Sequence, residues 1–179
     1  MRKGLWLAFA VVLLSGCGSD DDHPDAAPRA DKLTTFASPR IPFTFDYPKH
    51  FVAEKRPREQ VLARVGVKRG SRLNAIKVRR TARRALNPDR YLGDFQRDFQ
   101  RSVGTVEKHE ERIGDLDTGV LEFDDRVKEG GEKVEFRSSS YFFTGAGQTW
   151  QLECIADAEH RAEIDAACRT ALESVDFRR

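Results

Sequence analysis

Val134-Glu-Phe-Arg-Ser-Ser-Ser-Tyr-Phe-Phe143, then Thr144-Gly-Ala-Gly-Gln-Thr149, then Trp150-Gln-Leu-Glu-Cys-Ile155 is the stretch that decides the fold. Two runs rich in aromatic and β-branched residues flank a glycine-bearing reversal at Gly145-Ala-Gly147, which is the pattern of an antiparallel hairpin. Gly130-Gly131 reverses the chain just before it. Upstream, Val106 to Ile113 and Val120 to Phe123 predict a further hairpin across Gly114-Asp-Leu-Asp-Thr-Gly119, with a turn longer than two residues. Downstream, a helix starting near Asp157 carries Ile164, Cys168, Ala171, Leu172 and Val175 on one face.

Moving toward the N-terminus, Ile41-Pro-Phe-Thr-Phe-Asp-Tyr47 alternates apolar and polar residues. Ile41, Phe43, Phe45 and Tyr47 therefore share one sheet face, Pro48 ends the strand, and Phe51 and Val52 fold back toward the core. Arg64 to Arg69 and Ala75 to Arg79 read as two strands around a Gly70-Ser71 turn. Asn87-Pro88 supplies an N-cap followed by proline at the first helical position. Tyr91, Phe95, Phe99 and Val103 follow at helical spacing, with Leu92 beside them and Gly104 as terminator. Strands joined by hairpins, interrupted by one helix and closed by another, predict an α+β fold: an antiparallel β-sheet flanked by helices. A doubly wound parallel sheet is excluded by the same order.

The ordering carries a resemblance. Phe43-Thr-Phe-Asp-Tyr-Pro48 followed by Phe51 resembles the opening strand of PsbP/Mog1-like domains. The Asn87-Pro88 helix with Tyr91-Leu92, the Gly114/Gly119 turn, Tyr141-Phe-Phe143, Trp150-Gln-Leu-Glu-Cys154 and Ser174-Val-Asp-Phe177 continue it over nearly all of the sequence beyond the tether described below. In detail the chain is most similar to the LpqN-type, PsbP-like lipoproteins of actinobacteria. The resemblance implies a layered sandwich of sheet and helices, and a role in binding rather than catalysis. It brings no catalytic residues and no cofactor.

Residues 1–16 read as a signal peptide. Arg2 and Lys3 precede ten apolar residues, Leu5 to Leu14, a run that at about 1.5 Å per residue is half the thickness of a bilayer core. Leu14-Ser-Gly-Cys17 then resembles a bacterial lipobox, which predicts cleavage before Cys17 and lipid on its sulfur. Residues 17–35 form the lipidated cysteine and a flexible tether. Asp20, Asp21, Asp22 and His23 have ligand chemistry, but no regular structure holds them, so no metal site is expected there. Residues 36–179 form a single domain. The expected address is extracytoplasmic, at the outer face of the cell membrane. In an oxidising compartment the remaining pair, Cys154 and Cys168, is most simply a disulfide; the alternative, a redox or nucleophilic cysteine, lacks a CxxC spacing or a partner base.

Composition sharpens the partner question. The sequence holds 31 Lys+Arg and 29 Asp+Glu, for a formal charge of +2. Removing Arg2 and Lys3 with the signal peptide leaves the mature chain formally neutral, so nucleic acid is not an expected partner. Charge is nevertheless uneven. Residues 60–88 hold nine basic and no acidic residues, whereas residues 107–135 hold eleven acidic against five basic. Arg79, Arg80, Arg83 and Arg84 are the candidate patch for an anionic partner, a lipid headgroup or wall polymer. The competing reading pairs the acidic strands with the basic ones.

Other chemistry is sparse. The four histidines show no metal-ligand spacing, Ser138 to Ser140 lack a nucleophile elbow, and Gly145-Ala-Gly147 lacks the rest of a dinucleotide fingerprint. Glu122 and Asp124 share a strand face, which is more often a solvated pair than a hydrolytic one. The sequence thus predicts no catalytic, metal or cofactor residues. It predicts a lipid-anchored, non-enzymatic binding module that assists envelope or transport proteins. The rival is a carrier of a small amphipathic or lipid-like ligand in an apolar groove.

Overall fold

The computed structural model describes residues 32–54, 57, 60–82, 92–93, 96–97 and 105–178. The signal peptide, Cys17, most of the tether, Arg83, Arg84 and most of the helix expected from Asn87 to Val103 lie outside the described residues.

Ten strands and one complete helix are described. The main sheet is fully antiparallel, in the order β3 (Val52–Glu54), β4 (Ala63–Gly66), β5 (Ala75–Ala82), β9 (Gln148–Asp157), β8 (Glu132–Gly145), β7 (Leu116–Glu129) and β6 (Glu107–Ile113). A second sheet of three strands pairs β2 (Phe43–Pro48) with β1 (Leu33–Phe36) on one side and β10 (Asp176–Phe177) on the other. Strand β1 takes in Leu33, Thr34 and Thr35, which the sequence reading gave to the tether. Their backbone pairs with Pro48, Tyr47 and Asp46.

The small sheet and helix α1 (Arg161–Glu173) pack on one face of the large sheet. Alternation in β2 delivers Phe43 and Phe45 to this core along with Ile41 and Tyr47, all buried. Phe43 meets Trp150, Phe143 and Phe177 at centroid distances of 5.3, 5.7 and 5.2 Å. A buried Phe contributes about 1.5–3 kcal/mol, against at most about 1 kcal/mol for an exposed ion pair, so this cluster dominates the stability of the layer. Helix α1 adds Ile164, Ala167, Cys168, Ala171 and Leu172 from its buried stripe. Cys168 is joined to Cys154 of β9, with the Cα atoms 6.2 Å apart, so the bond staples helix to sheet. The opposite face has a smaller core of Leu92, Val106, Leu121, Phe123 and Phe142. Leu92, Gly93, Gln96 and Arg97 are helical, on the expected second helix.

Two expectations change in detail. The hairpin between β6 and β7 turns in only two residues, Gly114-Asp115, because Ile113 pairs directly with Leu116. Gly114 supplies the positive φ of 57° that such a tight loop needs, and Leu116 is free to enter the core. Helix α1 begins at Arg161 rather than near Asp157, because the Asp157 carboxylate is taken up by Asn74 and His160 before the first turn.

Candidate functional site

The sheet order separates the two charged stretches except at the β7–β8 hairpin tip, where Ser71 bonds Glu129. Strands β5 and β7 are three strand spacings apart, about 14 Å at roughly 4.8 Å per spacing. That exceeds the screening length of about 8 Å for exposed charges at physiological salt. The basic residues of β4 and β5 instead find acids elsewhere. Arg64 reaches Glu54 at 2.5 Å, and Arg79 pairs with Glu153 of β9. Arg64, Lys77 and Arg79 do share one sheet face, as alternation predicts. Arg79, however, is partly buried in its ion pair, while Arg80 points the other way and is exposed. The structure therefore does not present Arg79 and Arg80 as one open patch.

The acidic stretch forms the far side of the sheet. Across one rung, Glu107 of β6 faces Glu122 of β7, which faces Ser139 of β8. Two carboxylates directly opposite one another repel. Arg137 of β8 relieves this, with Nη2 at 3.0 Å from Glu122 and 3.9 Å from Glu107. Ser139 donates its hydroxyl to Glu122 at 2.7 Å. From the helix side, Arg169 bonds Glu111 at 2.7 Å and Arg161 approaches Asp124 at 3.7 Å. Between these groups lie two clefts that share Asp124. One, of about 260 Å³, is lined by Thr105, Glu107, Glu122, Phe123, Asp124 and Arg137. The other, of about 390 Å³, lies among Asp124, Asp125, Arg126, Glu135, Phe136 and Arg161.

The charges of Glu122 and Arg137 are fixed, whereas burial pushes the carboxyl of Asp165 up. Burial opposes ionisation of Glu122, but hydrogen bonds from Ser139 and Arg137 and the charge of Arg137 outweigh it, so its carboxyl titrates below its ordinary value. Burial likewise works against the charge of Arg137, yet Glu122 holds it above the usual guanidinium value. Tyr141 is pushed up to about 12, by burial and then by Glu122, Glu111 and Asp165. Glu122 is thus anionic, Arg137 cationic and Tyr141 neutral at physiological pH, and none of the three is poised to exchange protons. Such an arrangement holds one anionic and one cationic side chain side by side. Its rim is β6, an edge strand of seven residues whose first four side chains are exposed.

Sequence reasoning singled out Glu122 and Asp124, and they do lie on this face. His109 is near enough for its charge to favour the ionised form of Glu122. It missed Arg137, Ser139, Tyr141 and Asp165, whose relevance depends on strand register and on the seat of the helix. Among the described residues, no group of three or more His, Cys, Asp or Glu side chains is arranged to hold a metal ion. No helix among them is long and apolar enough to cross a membrane.

No protein-family model and no curated protein matches the chain. Solved structures do. LpqN of Mycobacterium tuberculosis, described as involved in cell envelope biogenesis, superposes with a TM-score of 0.50 over 84% of this chain and 94% of its own, at 8% identity. The fold is PsbP/Mog1-like. The PsbP/Mog1-like architecture is also similar to a protein of Bacteroides thetaiotaomicron VPI-5482, with a TM-score of 0.55 at 12% identity over 81% of this chain. The chain spans 48% of the length of that Bacteroides protein. Cyanobacterial PsbP (CyanoP) from Synechocystis sp. PCC 6803 aligns over 81% of this chain and 92% of its own at 12% identity, with a TM-score of 0.47.

Proposed function

We propose that the protein is a lipid-anchored, non-enzymatic binding module of the bacterial cell envelope, held at the outer face of the membrane through Cys17. Its partner is an envelope or transport protein that docks on the charged face formed by β6, β7, β8 and α1. The observation that carries this reading is the fixed-charge network around Glu122 and Arg137 beside an exposed edge strand. Fixed charges on rigid strands give orientation and specificity to a protein contact, whereas catalysis needs groups that change protonation. The description of LpqN as an envelope biogenesis protein, on the same fold, supports the envelope address. The lipobox at Leu14 to Cys17 supports the anchor.

Two measurements test this. Cells fed labelled palmitate incorporate label into the wild-type chain and not into Cys17→Ser, which leaves the membrane fraction; equal membrane association of the two would contradict the anchor. Glu107→Lys adds a cation beside Arg137 and reverses the sign of the rim. It lowers recovery of the partner from solubilised native membranes at least tenfold without moving the thermal midpoint, and unchanged recovery would contradict the docking face.

A further inference from the structure

The chain enters the described fold at Lys32, and the structure gathers other loops around that point. The Lys49 backbone N–H donates to the Lys32 carbonyl at 2.8 Å, and Leu33 pairs with Pro48. Three residues beyond Lys49, Val52 opens β3 opposite Gly66, at the root of the β4–β5 loop. The Val67 N–H bonds the Asn74 carbonyl at 3.0 Å, so residues 68–73 are the part of that loop that projects beyond the sheet. The entry of the chain, the turn at Lys49 and the β4–β5 loop therefore share one end of the domain.

That end carries an excess of cations. Lys32, Lys49, Lys68, Arg69 and Arg72 are all exposed, and none makes an ion pair among the described residues. The carboxylates nearest them are committed elsewhere: Glu54 to Arg64 and the Gly70 N–H, Glu129 to Ser71, and Glu163 to His50. Glu159 is exposed before α1 and offsets one cation, and the β7–β8 tip sets Lys128 and Lys133 against Glu129 and Glu132. Between the two lysines at the chain entry stands Leu33, 52% exposed and the one large hydrophobic side chain so exposed among the described residues. An aliphatic group set among long cationic stems is the composition of a membrane-interface contact, in which the apolar group enters the headgroup boundary and the stems reach phosphates.

Two features select the occupant. The cations are spread over three loops rather than converging on one pocket, which suits a continuous surface of phosphates. Residues 17–31 span at most about 50 Å at roughly 3.5 Å each, so a chain lipidated at Cys17 is held to the bilayer by this end. We propose that this end of the domain lies on anionic phospholipid headgroups, with Leu33 in the interface and Lys32, Lys49, Lys68, Arg69 and Arg72 on the phosphates. The assignment rests on the anchor proposed at Cys17. It places the membrane contact on the β4–β5 loop and the chain entry, not on Arg79 and Arg80.

The experiment follows backbone hydrogen exchange of the full chain, purified from membranes, on vesicles of phosphatidylcholine and on vesicles that also contain phosphatidylglycerol. Residues 32–36 and 67–74 exchange at least threefold more slowly on the anionic vesicles, and high salt removes the difference. The lipid anchor is common to both vesicles, so the difference reports this end of the domain alone. The triple variant Lys68→Glu, Arg69→Glu, Arg72→Glu abolishes it, since each cation near an anionic surface is worth about fivefold in binding. Arg80→Glu, at an exposed position on β5, preserves it. A chain that does not float with phosphatidylcholine alone would contradict the anchor; this end of the domain then still requires salt-sensitive flotation with the anionic vesicles, lost in the triple variant. Equal exchange on the two vesicle types would overturn the assignment. So would equal protection by soluble polyphosphate without vesicles, which would give this end to a wall polymer instead.

Discussion

At the scale of single residues, the most constrained position is one with no side chain. A Cβ on Gly145 would lie 1.8 Å from the Phe177 ring, in the middle of the aromatic cluster that closes β10 onto β2. The backbone there is not in the left-handed region, so the conflict is purely steric. Gly145→Ala is expected to destabilise the fold by about 1–3 kcal/mol, as overpacking generally does. In a Phe177→Ala background the same change should be nearly neutral. A double-mutant cycle by chemical denaturation checks this, and additive losses would show that the ring is not the obstacle. Arg64 makes a related point about charge. It is buried, and its guanidinium bonds Glu54, the Lys68 carbonyl and the Ser71 carbonyl. Removing one partner of such a pair typically costs about 3–5 kcal/mol. Glu54→Gln should therefore lose a large part of that amount in denaturant titration, more than any exposed ion pair on β7 or β8.

At the scale of elements, the entry to α1 depends on pH in a direction that can be worked out. The hydrogen bond to Asp157 raises the pKa of His160 above its ordinary 6.5. Burial works against ionisation of Asp157, but hydrogen bonds from Asn74 and His160 hold its carboxyl below 3.8. The His160 contribution is fully present below pH 6.5 and is lost as pH rises through the elevated value. The Asp157 contribution is present above pH 3.8 and is lost as pH falls through the depressed value. The clamp is therefore strongest between about pH 4 and 6.5. His160→Gln should flatten the decline of stability on the basic side of that window while leaving the acidic side in place, read from unfolding midpoints against pH. An unchanged basic-side decline would assign that slope elsewhere. The sequence made β2 legible because one of its faces is buried and alternation follows. It made β9 legible because Trp150, Leu152 and Cys154 alternate with Gln151 and Glu153, although both faces of β9 are buried. It misplaced the β6–β7 turn because Asp115, Asp117 and Gly119 all look like turn residues, whereas pairing of Ile113 with Leu116 leaves room for only two. It also started α1 too early, because Asp157 bonds to Asn74, 83 positions away in the chain.

At the scale of the whole molecule, two layers are joined by one covalent link. The Cys154–Cys168 bond closes a short loop, with a sequence separation of 14, so reduction should cost about 3 kcal/mol in the chain-entropy model. Unfolding midpoints with and without reductant test that figure. The uneven charge visible in the sequence becomes an asymmetric sheet. The basic strands β4 and β5 draw on Glu54 and Glu153, while the acidic strands β6 and β7 draw on Arg137, Arg161 and Arg169. Counts of charge along the chain could show the segregation, but not which acid neutralises which base, because that depends on strand order. The β6 side is the proposed seat of the partner. The most direct test is a photo-crosslinking amino acid placed at His109 on β6, at Lys133 on the hairpin tip and at Arg80 on β5, each in native membranes. Docking on β6 predicts one discrete envelope-protein adduct from position 109 and none from position 80. Equal labelling from all three positions, or no adduct from position 109, would contradict it.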